Sequence, residues 1–270
     1  MQTSPKTCSK PNCSPSLNSN FLTNQKPLSA NGRGFFSLAL SASFRFNQSI
    51  LILKQEITAI IVAAGSSKRM GFDKLAALLN GKPVIQHTLD VLLACDEITE
   101  ILVICPLERF ELLDKSTFTK PVRRIDGGAE RYLSVANGLA AVSPTAKLIA
   151  VHDAARPLVS QVDILATIAA AKTHGAASLA RRVTETLKRS DNDGFTLSPV
   201  SRENLWFIET PQIFRTDLIR SAYEHILKEN LSVTDETSAL ETISVKTQLI
   251  ASTSPNPKIT TPADLAAITT

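Results

Sequence analysis

From residue 57 to residue 183, short runs of apolar, often β-branched residues alternate with stretches whose apolar residues recur at helical spacing. The first run, Ile57–Val62, reads ITAIIV. Others follow at 100–105, 122–126, 147–151 (ending at His152 and Asp153) and 176–183. Between them, 83–93 sets Ile85, Leu89, Leu92 and Leu93 on one helical face, and 108–113, 131–142 and 161–172 also read as helices. Parallel strands need a long crossover, and a helix is the usual one, so this alternation predicts an α/β fold with a mostly parallel sheet flanked by helices.

The rhythm breaks at 184–205. Two polar runs flank Asp191, Asn192, Asp193 and Gly194, which predicts a hairpin too polar for the core. A projecting ribbon of this kind is either a solvated flap or an arm that pairs with a second subunit. Beyond it, Trp206 reads as core, and Thr210-Pro211 as a turn ahead of a helix start. Asp235 reads as part of the cap of a helix over 237–243, and Pro262 as the first residue of a last helix.

The 270-residue chain has a formal charge of +4, but this balance does not imply nucleic acid. Six basic residues, Lys6, Lys10, Lys26, Arg33, Arg45 and Lys54, precede the first acidic one, Glu56. The remainder is slightly negative, so it has no global footprint for DNA. Residues 1–52, rich in Ser, Asn and Pro, are expected to be a disordered or targeting extension, with a single folded domain over 53–270. The extension looks like an organellar transit peptide, which would imply a plastid address. Translation starting near residues 51–53 would instead fit a bacterial cytoplasmic protein. Its one apolar patch, 34–46, is too short to span a bilayer, so no membrane role is expected. Cys8 and Cys13 lie in this extension, while Cys95 and Cys105 read as core thiols. The four histidines show no zinc spacing.

The chemistry begins where the first strand ends. Ala63, Ala64 and Gly65 are too small to hold a ligand off the backbone, and Lys68, Arg69 and Lys74 follow closely. A strand that runs into such a turn presents N–H groups and positive charge to a polyphosphate. Neither GxxxxGK[ST] nor GxGxxG occurs here, which argues against a P-loop ATPase and a classical dinucleotide enzyme. In LIAVHDAARP, 148–157, a strand ends in Asp153, with Arg156 just beyond. In open α/β sheets the carboxyl ends of strands form the ligand crevice. GGAERYLSV, 127–135, places two glycines before a helix whose first turn holds Arg131 and Ser134, either for backbone approach to a base or sugar or as a plain turn, and Lys258 is the one cation ahead of the final helix.

AAGSSKRM, 63–70, resembles the signature loop of nucleotidyltransferases with a Rossmann-like fold. With DGGAERYLSV, HDAARP, TPQ, TDETSALE and PKITTPADL in this order, the chain from about 57 to 267 resembles the 2-C-methyl-D-erythritol 4-phosphate cytidylyltransferases. Ser67 stands where that family usually has a second glycine, the spacer before Lys74 is shorter, and Ala129 replaces a common Asp. The resemblance implies attack by a phosphate oxygen of the acceptor on the α-phosphorus of CTP. Arg69, Lys74 and Lys258 would be the catalytic cations. Ala63, Ala64, Gly65, Gly128 and Ser134 would meet the nucleotide, and Asp153, Arg156, Thr186, Arg202 and Thr210 the acceptor. It further implies Mg²⁺ carried by the CTP phosphates, no protein metal site, and a homodimer whose hairpin arm lends Thr186 and Arg202 to the partner. The alternatives are a cytidylyltransferase for another polyol or sugar phosphate, such as ribitol 5-phosphate, or a nucleotide-binding protein without turnover.

Overall fold

The ITAIIV run is an interior strand of the sheet, and its side chains divide between two cores. In the computed structural model, which describes residues 56–65 and 70–269, this strand is β1 (Ile57–Val62). The expected extension over 1–52, with Cys8 and Cys13, and residues 66–69, including Ser67 and Arg69, lie outside the described residues.

A two-stranded ribbon, β2 (Leu78–Leu79) and β3 (Lys82–Pro83), leads into α1 (Val84–Leu93), then β4 (Ile98–Ile104). One turn of helix, α2 (Leu107–Phe110), and a short 3₁₀ segment precede β5 (Val122–Ile125). Next come α3 (Arg131–Ala141), β6 (Leu148–Asp153), α4 (Gln161–His174) and β7 (Ala176–Arg182). The hairpin β8 (Leu187–Ser190) and β9 (Thr196–Val200) follows. The chain closes with β10 (Trp206–Arg215), α5 (Thr216–Lys228), α6 (Glu236–Glu241), β11 (Gln248–Ala251) and α7 (Pro262–Ala267).

The main sheet has seven strands in the order β11-β7-β10-β6-β1-β4-β5. All pairings are parallel except those of β10, which runs antiparallel to both β6 and β7. Alternate residues of a strand face opposite sides. Ile57, Ala59 and Ile61 therefore pack in one cluster with Leu89 of α1 and Ile164 of α4, while Ile60 packs in the other with Val135 of α3 and Ile219 of α5. α4 begins on Ser160, whose hydroxyl accepts from Asp163 N, and stops at Gly175 with φ of 84°, a conformation natural to glycine. α7 opens on a reciprocal cap between Thr261 and Asp264 with Pro262 in its first turn, as the sequence predicts.

The structure corrects three readings. Residues 108–113 form only the single turn of α2. Thr210-Pro211 is not a turn before a helix but lies inside β10, at the irregularity in its register with β7. Trp206 is half-buried at the start of β10, with the Arg182 guanidinium 4.3 Å from its ring centre, and is not core. The hairpin does form its own exposed two-stranded sheet, and Cys95 and Cys105 are buried free thiols.

Candidate active site

The parallel strands β1 and β6 end side by side, with Val62 paired to Asp153, so whatever follows them shares one crevice. A cavity of about 300 Å³ lies there. Its lining includes Ala63, Ala64, Gly65, Lys74, Gly128, Ala129, Ser134, Asp153 and Lys258, a set drawn from four separate stretches of sequence.

The first wall is backbone. Ala63 N donates to Ile104 O at 2.9 Å, which holds the turn against β4. Opposite it, a Cβ on Gly127 would come within 2.3 Å of the Ala64 Cβ, and one on Gly128 within 2.5 Å of the Leu133 Cβ. Only glycine fits at these two positions. The Ser134 hydroxyl, one turn into α3, accepts from Gly128 N at 3.0 Å and donates to Glu130 O at 3.1 Å, fixing the glycine turn to the helix.

The second wall is charged. Both Asp153 oxygens are engaged: Oδ1 with Arg131 at 3.1 Å and Oδ2 with the Lys258 ammonium at 2.6 Å. Burial alone would raise this carboxyl, but Arg131 and Lys258, with Arg156 beyond, hold it well below the usual range. Arg131 in turn grips the fully buried Glu236 of α6 at 2.7 and 3.0 Å, and the Tyr223 hydroxyl donates to the same carboxylate at 3.0 Å. Burial works against the charge on Arg131, yet the two carboxylates keep it protonated, while burial and Glu236 push the Tyr223 hydroxyl up. Lys74 donates to Ile259 O at 2.7 Å, so two lysines far apart in sequence meet through adjacent residues, 258 and 259.

Lys258 is delivered by the segment 252–260, a strap anchored at several points. The buried Asp163 carboxylate accepts from Thr253 N and Thr253 Oγ1, both at 2.9 Å. Arg156 donates to Asn256 O at 2.6 Å, Asn256 Nδ2 donates to Thr210 O at 3.0 Å, and Ile259 N donates to Ala155 O at 2.9 Å. Behind Asp153, its N–H donates to the Thr210 hydroxyl at 3.1 Å, which also meets His152 Nδ1 at 3.0 Å. His152 is fully buried and burial holds its pKa down to about 4.

A profile of the family described as 2-C-methyl-D-erythritol 4-phosphate cytidylyltransferase matches residues 57–269. The chain belongs to that family. Among its relatives, the cytidylyltransferase of Pseudoalteromonas atlantica is 40% identical, over 77% of this chain and 91% of its own length. That of Pelotomaculum thermopropionicum is 37% identical, over 78% and 91%. A rice relative, named as chloroplastic, is 32% identical over 81% of this chain and 75% of its own. The crystal structure of 4-diphosphocytidyl-2C-methyl-D-erythritol synthase from Anaerococcus prevotii superimposes with a TM-score of 0.71 at 30% identity, covering 81% of this chain and 96% of that one. The Francisella tularensis cytidylyltransferase gives 0.68 at 30%, covering 79% and 97%.

Of the positions that the cytidylyltransferase motifs single out, Ala63, Ala64, Gly65, Lys74, Gly128, Ser134, Asp153 and Lys258 come together around the cavity. Arg69 lies outside the described residues. Arg156 borders a second, wider cavity shared with Arg181, Glu209, Asn256 and Lys258. Its Nε and the Asn256 Oδ1 are buried there without a hydrogen-bond partner. Thr210 is buried behind Asp153 rather than lining either space. Thr186 and Arg202 lie on the exposed hairpin and its base, where Arg202 donates to Thr184 O, and neither lines the cavity. Sequence reasoning placed Arg131 in the first turn of a helix and Glu236 in a helix cap without giving either a part in fixing Asp153, and it passed over Tyr223, and Arg109 and Asp73 behind the first turn. Arg131 stands inside a recognised motif word, the one signal that could have found it.

Proposed function

We propose that the chain transfers CMP from CTP to 2-C-methyl-D-erythritol 4-phosphate, giving 4-diphosphocytidyl-2-C-methyl-D-erythritol and pyrophosphate. One observation carries this reading beyond family membership: Lys74, Lys258 and Asp153, from three distant stretches, border one cavity walled by the Ala63–Gly65 backbone.

An acceptor phosphate oxygen attacks the α-phosphorus of CTP, a new P–O bond forms, and the bond to the β-phosphate oxygen breaks as pyrophosphate leaves. A phosphate monoester is already anionic at neutral pH, so the step needs placement and charge neutralisation more than a base. Lys74 and Lys258 provide that neutralisation, and Arg69 joins them by its place in AAGSSKRM. Lys258 exchanges its contact with Asp153 for the phosphates, leaving Asp153 to Arg131 and the acceptor's hydroxyls. The Gly128 turn and Ser134 meet the cytidine. The unpartnered Arg156 Nε supports an anionic or hydroxylated acceptor in the wider cavity next to Lys258.

Among the described residues no group of three or more His, Cys, Asp or Glu is placed to hold a metal. Mg²⁺ would arrive on the CTP phosphates, where it would neutralise phosphate charge and keep much of its own water. We also assign the hairpin as a dimer arm. Phe195 at 73% exposure and Leu197 at 66% are costly to leave in water, and a second copy would cover them. No helix among the described residues is long and apolar enough to cross a membrane.

Pyrophosphate release from CTP, ATP, GTP and UTP, each offered 2-C-methyl-D-erythritol 4-phosphate and ribitol 5-phosphate, tests base and acceptor choice together. Release is expected with CTP and the methylerythritol phosphate. Faster release with ribitol 5-phosphate would move the assignment to that acceptor. CTP binding without product from either would leave a nucleotide-binding protein.

A further inference from the structure

Arg109 touches neither cavity, yet it is 7% exposed and holds both flanks of the nucleotide turn. We propose that Arg109, together with Asp73, is a positioning residue that sets the Ala63–Gly65 backbone and the start of the Lys74 segment for CTP. The inference rests on the cytidylyltransferase reading of the site.

A buried guanidinium is costly unless its donors are met. Arg109 meets them on two sides at once. Its Nε and Nη2 donate to Asp73 Oδ2 at 2.9 and 2.8 Å. Its Nη1 donates to Ala63 O and, at 3.3 Å, to Gly65 O. One planar fork therefore bridges the two ends of the stretch that carries Arg69 in sequence.

Each end matters to the cavity. Ala63 is pinned through both its polar groups, its N–H by Ile104 O and its C=O by Arg109. A trans peptide points its C=O and the following N–H in opposite directions. Drawing the Ala63 carbonyl to Arg109 thus turns the Ala64 N–H away from Arg109, which stands behind the wall that Ala63, Ala64 and Gly65 present to the cavity. At the other end, Asp73 organises the turn containing Lys74. Its Oδ1 accepts from Leu75 N at 3.0 Å, and its carbonyl accepts from Ala76 N and Ala77 N at 3.2 and 3.1 Å. Lys74 then reaches Ile259 O beside Lys258. Arg109 itself is delivered by α2, directly after β4, the strand that borders β1.

Arg109→Lys, Asp73→Asn and the double variant test this. Lysine keeps the charge but has no fork to hold both flanks. Arg109→Lys is expected to lower kcat/KM for CTP by roughly ten- to a hundredfold, the scale of a displaced binding group. Asp73→Asn should show a smaller loss of the same kind, and the double variant a loss no greater than Arg109→Lys, because the pair acts as one unit. KM for the acceptor should stay near that of the parent, whatever the fall in the thermal unfolding midpoint from the broken pair. A mere staple would behave otherwise, lowering the midpoint and leaving the kinetics of the folded enzyme intact. Folded variants with parental kcat/KM for CTP, or with equal losses toward both substrates, would overturn the proposal. If Arg109→Lys does not fold, Asp73→Asn, whose side chain is 37% exposed, decides alone. A parent that releases no pyrophosphate with any acceptor would defeat the functional reading instead, and CTP affinity by calorimetry on parent and variants would then still judge the clamp.

Discussion

Acidification should weaken the fold through His152, and the size of the effect follows from its surroundings. The imidazole is fully buried under the cavity, with Nε2 against Arg156 O at 3.1 Å and Nδ1 against the Thr210 hydroxyl. Burial lowers its pKa from 6.5 to about 4; the Arg156 carbonyl and Asp153 oppose that shift, while Arg156 and Lys258 assist it. Above pH 6.5 the histidine is neutral in folded and unfolded chains alike and contributes no slope. Between 6.5 and about 4 the unfolded chain binds a proton that the folded one refuses, so stability falls as pH falls. At about 1.36 kcal/mol per unit, the drop from pH 6.5 to pH 5 is roughly 2 kcal/mol. Below about pH 4 the term levels off. Urea unfolding of the parent and of His152→Gln at half-unit steps from pH 7.5 to 4.5 isolates it, because the carboxylates and other histidines are common to both proteins. The variant should lose the extra slope. Identical slopes in the two proteins, or an NMR titration of His152 centred near 6.5, would refute the argument.

Four further outcomes are expected. Glu236→Gln should cost about 2–4 kcal/mol in urea unfolding, since it strips charge from a buried carboxylate that meets Arg131 and Tyr223; a loss under about 0.5 kcal/mol would show the network to be slack. Lys74→Ala, and likewise Arg69→Ala, should reduce turnover far more than CTP affinity, whereas equal losses would mean that these cations bind ground-state phosphate only. Arg202→Ala should raise the acceptor KM, and mixing it with Lys74→Ala should restore part of the activity if the arm serves a neighbouring copy; an inactive mixture that has exchanged subunits would count against the arm. Gly128→Ala should cost about 1–3 kcal/mol of stability by driving a Cβ to 2.9 Å from the Leu133 carbonyl carbon, and parental stability would show that the turn gives way.

Local pattern carries far in this chain. The β1 run, the small-residue turn, Asp153 at a strand end and Lys258 ahead of α7 were all legible, because each depends on a few neighbouring residues. β10 was not. Its middle, Glu209, Thr210, Pro211 and Gln212, is polar or unsuited to a ladder, and it lies buried only because distant groups satisfy it. Asn256 meets Glu209, His152 meets Thr210, and Gln212 accepts from Glu236 N and Thr237 N. No window of sequence contains those partners. The same holds for Arg109 and Glu236, charged residues on short helices whose burial is decided by contacts 36 and 105 positions away. β11 went unread as well, and α5 was read only as a helix start after Thr210-Pro211, although its apolar spacing, with Ile219, Ala222, Tyr223 and Ile226 inward, was there to find.

The strap that follows β11 has a bearing on synthesis. All seven strands are encoded by Ala251, so a chain released just short of Pro257 still possesses its whole sheet. It lacks both the ammonium of Lys258 and the Ile259 carbonyl that steadies Lys74. Truncation ahead of Pro257 would therefore leave the sheet whole but take Ile259 out of the core along with both contacts, so the site is completed only after the last strand has been made.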